Sequence, residues 1–159
     1  MSRWLVAGAA GMLGQDLVAA LGESPGAHEV TAVDRDVLDI VDPHACLAAV
    51  ADHDIVVNVA AWTAVDVAET HEAQACAVNA VGAANLARAC FAAGARMVQV
   101  STDYVFAGDA TTPYAEDAPL APRSAYSVLG HEVWRRAGLD LLPPRQESLI
   151  RALPLVAHS

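Results

Sequence analysis

Short apolar runs alternate along the first hundred residues with longer stretches in which alanine, leucine and valine recur at helical spacing. The short runs lack the polar alternation of a one-sided sheet, which is typical of strands that are covered on both faces. The longer stretches have the period of amphipathic helices. The pattern predicts strands at residues 3–8, 28–34, 54–59 and 96–101, and helices at 12–21, 43–51 and 72–93.

Strands that alternate with helices in this order pair in parallel, and right-handed crossovers place the helices on both faces of the sheet. The predicted fold class is therefore α/β, a doubly wound parallel sheet of the Rossmann type, a type of sheet on which dinucleotides such as NAD and NADP commonly bind. Residues 1–142 are assigned to this dinucleotide-binding domain. Residues 143–159, which contain three prolines, are assigned to an irregular tail with a remnant of a further strand.

Composition and charge exclude several classes of protein. Hydrophobic residues make up 55% of the chain and charged residues 18%, a mixture too apolar for disorder. No uncharged apolar run reaches the length of about 18 residues that a membrane span needs. The net charge of −10 leaves no basic patch for nucleic acid. Without the long apolar segment of a signal peptide at its start, the chain is expected to be cytoplasmic.

Metal sites and disulfides are not predicted. The six histidines show neither HxxxH nor HxxE spacing. Cys46, Cys76 and Cys90 are far apart and form no CxxC pair, so we expect reduced and partly buried thiols.

The strongest local motif is GxxGxxG, formed by Gly8, Gly11 and Gly14 between the first strand and the first helix. Such glycines permit a tight turn, a close approach of the backbone to a pyrophosphate, and close helix–strand packing. The start of the helix then presents free N–H groups to the phosphates. The alternative is a plain glycine-rich turn, but the position at the first βα junction favours dinucleotide binding.

Acidic residues follow the second predicted strand. Asp34 stands where a carboxylate can accept hydrogen bonds from the adenosine ribose of NAD, whereas Arg35 could instead pair with the 2′-phosphate of NADP. Both NADH and NADPH therefore remain candidate cofactors, and a solvent-facing Asp34 is the alternative without a ligand. Asp39 and Ile40 lie where the chain would pass the adenine, although Asp39 or Asp42 could also cap the next helix.

The ends of the third and fourth strands carry further candidates, since ligands of open α/β sheets bind at that edge. Residues 58–66 contain small alanines that would let a cofactor lie close to the backbone. The same segment contains Trp62, which is either a core aromatic or a wall of the cleft. Residues 101–104 bring a hydroxyl, a carboxylate and a phenol together, or simply provide caps. Thr102 and Tyr126 have the side chains of a carbonyl-reductase pair, a hydroxyl that polarises a carbonyl and a phenol that protonates it.

Together these blocks resemble the extended short-chain dehydrogenase/reductase superfamily, and within it the dTDP-4-dehydrorhamnose reductases. The resemblance covers residues 1–126. It implies NADPH- or NADH-dependent reduction of the C4 keto group of a dTDP-4-keto-6-deoxysugar, with this nucleotide sugar as substrate. The matching segments are GAAGMLG at 8–14, LDIVD at 38–42, VVNVAAWTAVDVAE at 56–69, AVNAVGAANLARAC at 77–90 and STDYVFAG at 101–108.

The resemblance also implies roles for individual residues. Thr102 and Asp103 would contact the sugar, and Tyr126 would be the proton donor. From spacing and resemblance together, the candidate cofactor-binding residues are Gly8, Gly11, Met12, Leu13 and Gly14 at the pyrophosphate, Asp34, Arg35, Asp39 and Ile40 at the adenosine, and Ala61, Trp62, Thr63 and Val100 at the nicotinamide.

The chain departs from the family after Tyr126. The family has Tyr-x-x-x-Lys, but Gly130 is the fourth residue after Tyr126 and the chain contains no lysine. The family also has a second half that holds the sugar nucleotide, and we expect this half to be missing and the activity to be impaired. The alternatives are another nucleotide-sugar reductase or epimerase, such as one for a streptose-like sugar, and a non-catalytic dinucleotide-binding regulatory subunit. A homo-oligomer is a candidate assembly.

Overall fold

The computed structural model of the protein describes residues 1–25, 28–115 and 117–121. Tyr126, Gly130 and the predicted tail lie outside these residues. The strands are β1 Ser2–Ala7, β2 His28–Val33, β3 Ile55–Asn58 and β4 Arg96–Gln99. The helices are α1 Met12–Glu23, α2 Pro43–Val50, α3 Val65–Ala68, α4 Glu72–Cys76 and α5 Ala83–Ala93. A π-helical segment, Ala77–Gly82, joins α4 to α5, and a 3₁₀ turn, Asp103–Val105, follows β4.

The four strands form one parallel sheet in the order β2-β1-β3-β4. Their carboxyl ends lie level with one another, because Ala7 pairs with both Val33 and Asn58, and Asn58 pairs with Gln99. The predicted α/β parallel fold is confirmed. Each predicted strand continues one or two residues too far at its carboxyl end, because there the chain leaves the sheet to form loops.

The core lies between the sheet and the helices α2 and α5. Leu5 and Val56 from the sheet pack with Val50 of α2 and Leu86 of α5, all of them fully buried. All four residues of β3, including the polar Asn58, are buried, as its lack of polar alternation predicts. Strand β4 is less covered, since the side chain of Val98 is half exposed.

Two helix boundaries follow from local chemistry. Asp42 caps α2, because its Oδ1 accepts hydrogen bonds from the main-chain N–H groups of His44 (2.8 Å) and Ala45 (3.3 Å), and Pro43 occupies the first helical position. Helix α5 ends at Gly94, whose φ of +71° is the left-handed conformation that stops helices. Both boundaries confirm the sequence prediction.

The predicted helix at 72–93 forms, but it is not uniform because its middle is π-helical. Among the described residues, this stretch is long and apolar enough by composition to cross a membrane, and 44% of its most apolar window is buried in the protein. Its interior includes Asn79, Asn85 and Arg88. Packing of α5 against α2 and the sheet accounts for its apolar face.

Candidate functional site

The first βα turn lies between the ends of two other strands. The N–H groups of Gly8 and Ala9 donate to the carbonyl oxygen of Val33, at 2.9 and 3.0 Å. Gly8 has a φ of +88°, and a Cβ there would lie 2.6 Å from the amide nitrogen of Ala60. Glycine is therefore required here both by conformation and by the close approach of the loop after β3.

The other two glycines of the motif have different surroundings. Gly14 is buried, and a Cβ there would collide with the carbonyl oxygen of Gly8 and lie 2.7 Å from Cα of Ala9. Gly11 is exposed, with φ −70° and ψ 164°, and among the described residues a Cβ there would meet only the Gly8 oxygen, at 3.3 Å. Gly14 thus serves packing, whereas Gly11 borders open space in front of α1.

The start of α1 has the properties of an anion site. Gly11 supplies no side-chain cap, and the described first turn of α1 contains no acidic residue. Met12 and Leu13, the first two residues of the helix, are exposed. Gln15 steadies the turn, because its Nε2 donates to the carbonyl oxygen of Ala10 at 2.7 Å. Unpaired N–H groups at such a helix start attract phosphate.

The residues predicted at the adenosine follow β2 directly. Asp34 is half-buried, and its Oδ1 accepts a hydrogen bond from the N–H of Asp36 at 3.0 Å. Arg35 is exposed. Asp39 is also exposed, and its Oδ1 accepts from the N–H of Val41 at 3.0 Å, so it shapes a turn and does not cap α2. Ile40 lies in the core, with 5% of its surface exposed.

A buried amide joins β3 to β4 at the same edge. Asn58 is 1% exposed, and its Nδ2 donates to Oε1 of Gln99 at 2.8 Å. Its Oδ1 accepts from the N–H of Ala60 at 3.1 Å. One side chain therefore links the two strand ends and sets the direction of the loop that carries Ala61, Trp62 and Thr63.

A second amide holds the middle of that loop. Oδ1 of Asn79 accepts from the main-chain N–H of Trp62 at 2.7 Å, and its Nδ2 donates to the carbonyl oxygen of Trp62 at 3.3 Å. The indole is half-buried, donates to the carbonyl oxygen of Ala64 at 3.1 Å and stacks on His71. This position favours a wall of the cleft over a core aromatic. Ala61 and Thr63 are exposed.

The end of β4 carries the predicted hydroxyl. Val100 is 40% exposed. Oγ1 of Thr102 accepts from the N–H of Tyr104 at 3.2 Å and donates to Oδ1 of Asp103 at 3.4 Å. Thr102 therefore caps the 3₁₀ turn that follows the carboxyl end of β4. Its pairing with Tyr126 stays a prediction.

The three thiols are free. Burial raises the pKa of Cys46 and of Cys90 to about 11, and burial also raises the pKa of Cys76. These thiols are protonated at neutral pH and are poor nucleophiles. Among residues 1–25, 28–115 and 117–121, no group of three His, Cys, Asp or Glu side chains could hold a metal ion.

The glycine turn, Asp34, residues 59–64 and Val100 thus follow the level carboxyl ends of the four strands, and their roles in binding stay predictions. The candidates from sequence did not include the amide side chains that hold this edge in shape, namely Asn58, Asn79, Asn85 and Gln99. A signal for two of them was present. Asparagine is a weak helix former, so its presence in an apolar helix indicates a buried hydrogen-bonding role.

A parallel sheet with a glycine-rich first βα turn and an acidic residue after β2 defines the Rossmann-type class of nucleotide-binding α/β domains. The chain belongs to the RmlD substrate binding domain family, whose sequence model matches residues 2–135. The resemblance to dTDP-4-dehydrorhamnose reductases is confirmed by individual relatives. The chain is 50% identical over 143 residues to the dTDP-4-dehydrorhamnose reductase of Streptomyces griseus. This alignment covers 89% of this chain and 46% of the relative.

Two further comparisons agree. A probable dTDP-4,6-dihydroxy-2-methyloxan-3-one 4-ketoreductase of Streptomyces antibioticus is 54% identical over 132 residues, covering 78% of this chain and 42% of the relative. The solved dTDP-4-dehydrorhamnose reductase of Bacillus anthracis in complex with NADP superimposes with a TM-score of 0.77 at 34% identity, covering 84% of this chain and 48% of the other. The chain spans less than half the length of these relatives.

Proposed function

We propose that the chain binds a reduced nicotinamide dinucleotide, NADPH or NADH, at the carboxyl edge of its sheet. The observation that carries this proposal is the glycine cradle. In this cradle, which is formed by Gly8, Gly11 and Gly14, the lack of side chains at Gly8 and Gly14 lets the turn pack against neighbouring main chain. Gly11 leaves the space before the uncapped α1 open. The helix dipole and its free N–H groups suit a pyrophosphate there. The NADP complex of the Bacillus anthracis relative supports this choice of ligand.

We further propose that the chain belongs to an oxidoreductase that reduces the 4-keto group of a dTDP-4-keto-6-deoxyhexose in the cytoplasm. The dinucleotide would supply the hydride. The Thr102 hydroxyl already accepts one N–H, from Tyr104, so it can turn its own proton from Asp103 towards a substrate carbonyl. The relatives are named for several such sugars, dTDP-4-dehydrorhamnose and dTDP-4-keto-6-deoxy-D-glucose among them. These names support the class of dTDP-4-keto-6-deoxy sugars as substrate and do not single out one sugar.

The proton-transfer group of the family is incomplete in this sequence. With Gly130 at the family's lysine position and no lysine in the chain, no lysine ammonium is available to stabilise the anion of Tyr126. Loss of one acid–base member costs about 10²–10⁴-fold in rate. We therefore propose that the 159-residue chain by itself binds the cofactor and turns over substrate negligibly. The missing lysine is also the observation that favours a second candidate function, a non-catalytic dinucleotide-binding subunit.

Calorimetric titration with NADPH and NADH tests the binding proposal. The main-chain angles of Gly11 suit valine and its surroundings are open, so Gly11→Val is expected to fold and to lose at least about tenfold in affinity by filling the phosphate space. Gly22→Val, near the other end of α1, is the matched control and should bind like wild type. Equal binding by Gly11→Val and wild type would refute the proposed site. Arg35→Ala should weaken NADPH more than NADH if Arg35 pairs with the 2′-phosphate.

Oxidation of NADPH followed with dTDP-4-dehydrorhamnose tests the activity. The chain alone should show no turnover, and replacement of residues 127–159 by the second half of a full-length relative should restore it. Tyr126→Phe in that chimera should abolish turnover again. Rapid turnover by the unmodified chain would show that another group replaces the lysine.

A further inference from the structure

Residues 38–42, between β2 and α2, form an irregular segment that is unusually well held. The side chains of Leu38 and Ile40 are each 5% exposed, whereas the Asp39 between them is exposed. The segment begins one turn after β2, because the N–H of Leu38 donates to the carbonyl oxygen of Asp34 at 2.8 Å. It therefore lies beside the strand end where the adenosine of a dinucleotide binds in this class of fold.

The main chain of this segment is bound from α5. Asn85 is 6% exposed, and its Nδ2 donates to the carbonyl oxygens of Ile40 at 3.1 Å and of Val41 at 2.9 Å. The Cys46 thiol of α2 also donates to the Ile40 oxygen, at 3.3 Å. Two adjacent carbonyl groups thus receive both hydrogens of a single buried amide, 44 and 45 residues away in sequence.

A glycine lets the helix come this close. A Cβ at Gly82 would lie 2.6 Å from both Cγ1 and Cδ1 of Ile40. Residues 38–42 are therefore contacted at two points. Gly82, at the end of the π-helical segment, meets the side chain of Ile40, and Asn85 of α5 binds the main chain of residues 40–41. Displacing either contact would move Ile40, and with it the exposed Asp39.

We propose that Asn85 is a positioning residue for the adenosine end of the dinucleotide site, acting through the main chain of residues 40–41 to hold Asp39 at the edge of the cleft. The inference rests on the proposed function, since it concerns the same ligand. Asn85 is buried, so it would act on the ligand through this segment and not by direct contact. Without its amide, the Val41 carbonyl loses the donor from Asn85 and the Ile40 carbonyl keeps only the weak Cys46 thiol. This loss in a partly buried place is costly, and the segment moves out to find water.

Binding of ADP-ribose, which carries the adenosine and pyrophosphate without the nicotinamide, tests the inference in the full 159-residue chain. Asn85→Asp keeps the shape of the side chain and removes both donated hydrogens. We expect it to weaken ADP-ribose about tenfold, the equivalent of one to two hydrogen bonds. Val50→Ala, at the far end of α2, is the control for stability, because it opens a cavity in the same core and leaves the hydrogen bonds from Asn85 and Cys46 to residues 40–41 in place.

Each variant is compared at a temperature at which unfolding curves show it to be fully folded. If Val50→Ala loses similar stability but binds ADP-ribose within about twofold of wild type, while Asn85→Asp loses about tenfold, the positioning role holds. Equal affinities of Asn85→Asp and Val50→Ala would overturn it. Should Asn85→Asp fail to fold, Gly82→Ala answers the question, because it displaces Ile40 from the other contact and must also weaken ADP-ribose. A wild-type chain that does not bind ADP-ribose would refute the proposed function, and this inference with it.

Discussion

Helix α1 contains two glycines whose replacement by alanine is expected to have opposite effects. Gly14 is buried, and a Cβ there would collide with the carbonyl oxygen of Gly8 and approach the Cα of Ala9 to 2.7 Å. Gly22 lies near the end of the same helix, and among the described residues nothing comes within 4 Å of a Cβ there. Because both changes add the same methyl group to the same helix, the difference between them isolates the contact at Gly14.

The magnitudes follow from these surroundings. Alanine is favoured over glycine inside a helix by about 0.5–1 kcal/mol, so Gly22→Ala should raise the free energy of unfolding by about 0.5 kcal/mol, the lower figure applying near a helix end. Gly14→Ala has the same gain, but its methyl group meets main-chain atoms that cannot rotate away. Overpacking of this kind costs about 1–3 kcal/mol, so the net free energy of unfolding should fall by about 0.5–2.5 kcal/mol.

Urea unfolding followed by circular dichroism measures both changes, with the midpoint compared at equal slope. Gly14→Ala should also reduce NADPH affinity, because the turn at Gly8 must shift to admit the methyl group. Gly22→Ala should leave affinity unchanged. If Gly14→Ala proves as stable as Gly22→Ala, then the turn has room for a side chain and the assignment of Gly14 to packing is wrong.

Three other changes test separate contacts. Asn79→Ala should alter the fluorescence of Trp62 and lower the free energy of unfolding by about 1–3 kcal/mol, because the main chain of Trp62 loses both partners; an unchanged emission spectrum would contradict this. Hydrogen bonds from Arg3 lower the pKa of Asp54 below its ordinary 3.8. The contribution of this carboxylate to the free energy of unfolding is therefore present above pH 3.8 and is lost as pH falls through the lowered pKa. Asp54→Asn should accordingly flatten the acid limb of a plot of unfolding free energy against pH. With its pKa raised to about 11 by burial, Cys46 should resist alkylation by iodoacetamide in the native chain and react on unfolding, as mass spectrometry would show.

Much of the fold could be predicted from sequence because its determinants are local. Strand β3 is buried along its whole length, and its lack of polar alternation is typical of such strands, with the one polar residue, Asn58, satisfied by hydrogen bonds. Asp42 and Gly94 mark helix ends through hydrogen bonds and dihedral angles that involve only a few neighbouring residues. The glycine turn was predictable from the spacing of Gly8, Gly11 and Gly14, whereas its contacts with Val33 and Ala60 join it to distant parts of the chain.

The parts that were not predicted depend on contacts between distant residues. The π-helical segment Ala77–Gly82 has no residue pattern that separates it from an α-helix, and α3 at Val65–Ala68 is too short to show a period. Asn79 and Asn85 find their partners 17 and 44 or 45 residues away, so sequence can mark them as unusual without saying what they hold.

Asp34, Asp39 and Thr102 can each act both as a turn or cap residue and as a ligand-binding residue. Asp34, Asp39 and Thr102 each accept an N–H from the residue two positions on, as turn and cap residues do, and each lies at the carboxyl edge of the sheet. In each aspartate this bond uses Oδ1, while the second carboxylate oxygen can accept from a ligand, and a hydroxyl can accept and donate at once. A local hydrogen bond therefore fixes the direction of the side chain. Because a group already held in place loses little freedom when a ligand binds, the turns that shape this edge also prepare it for the ligand.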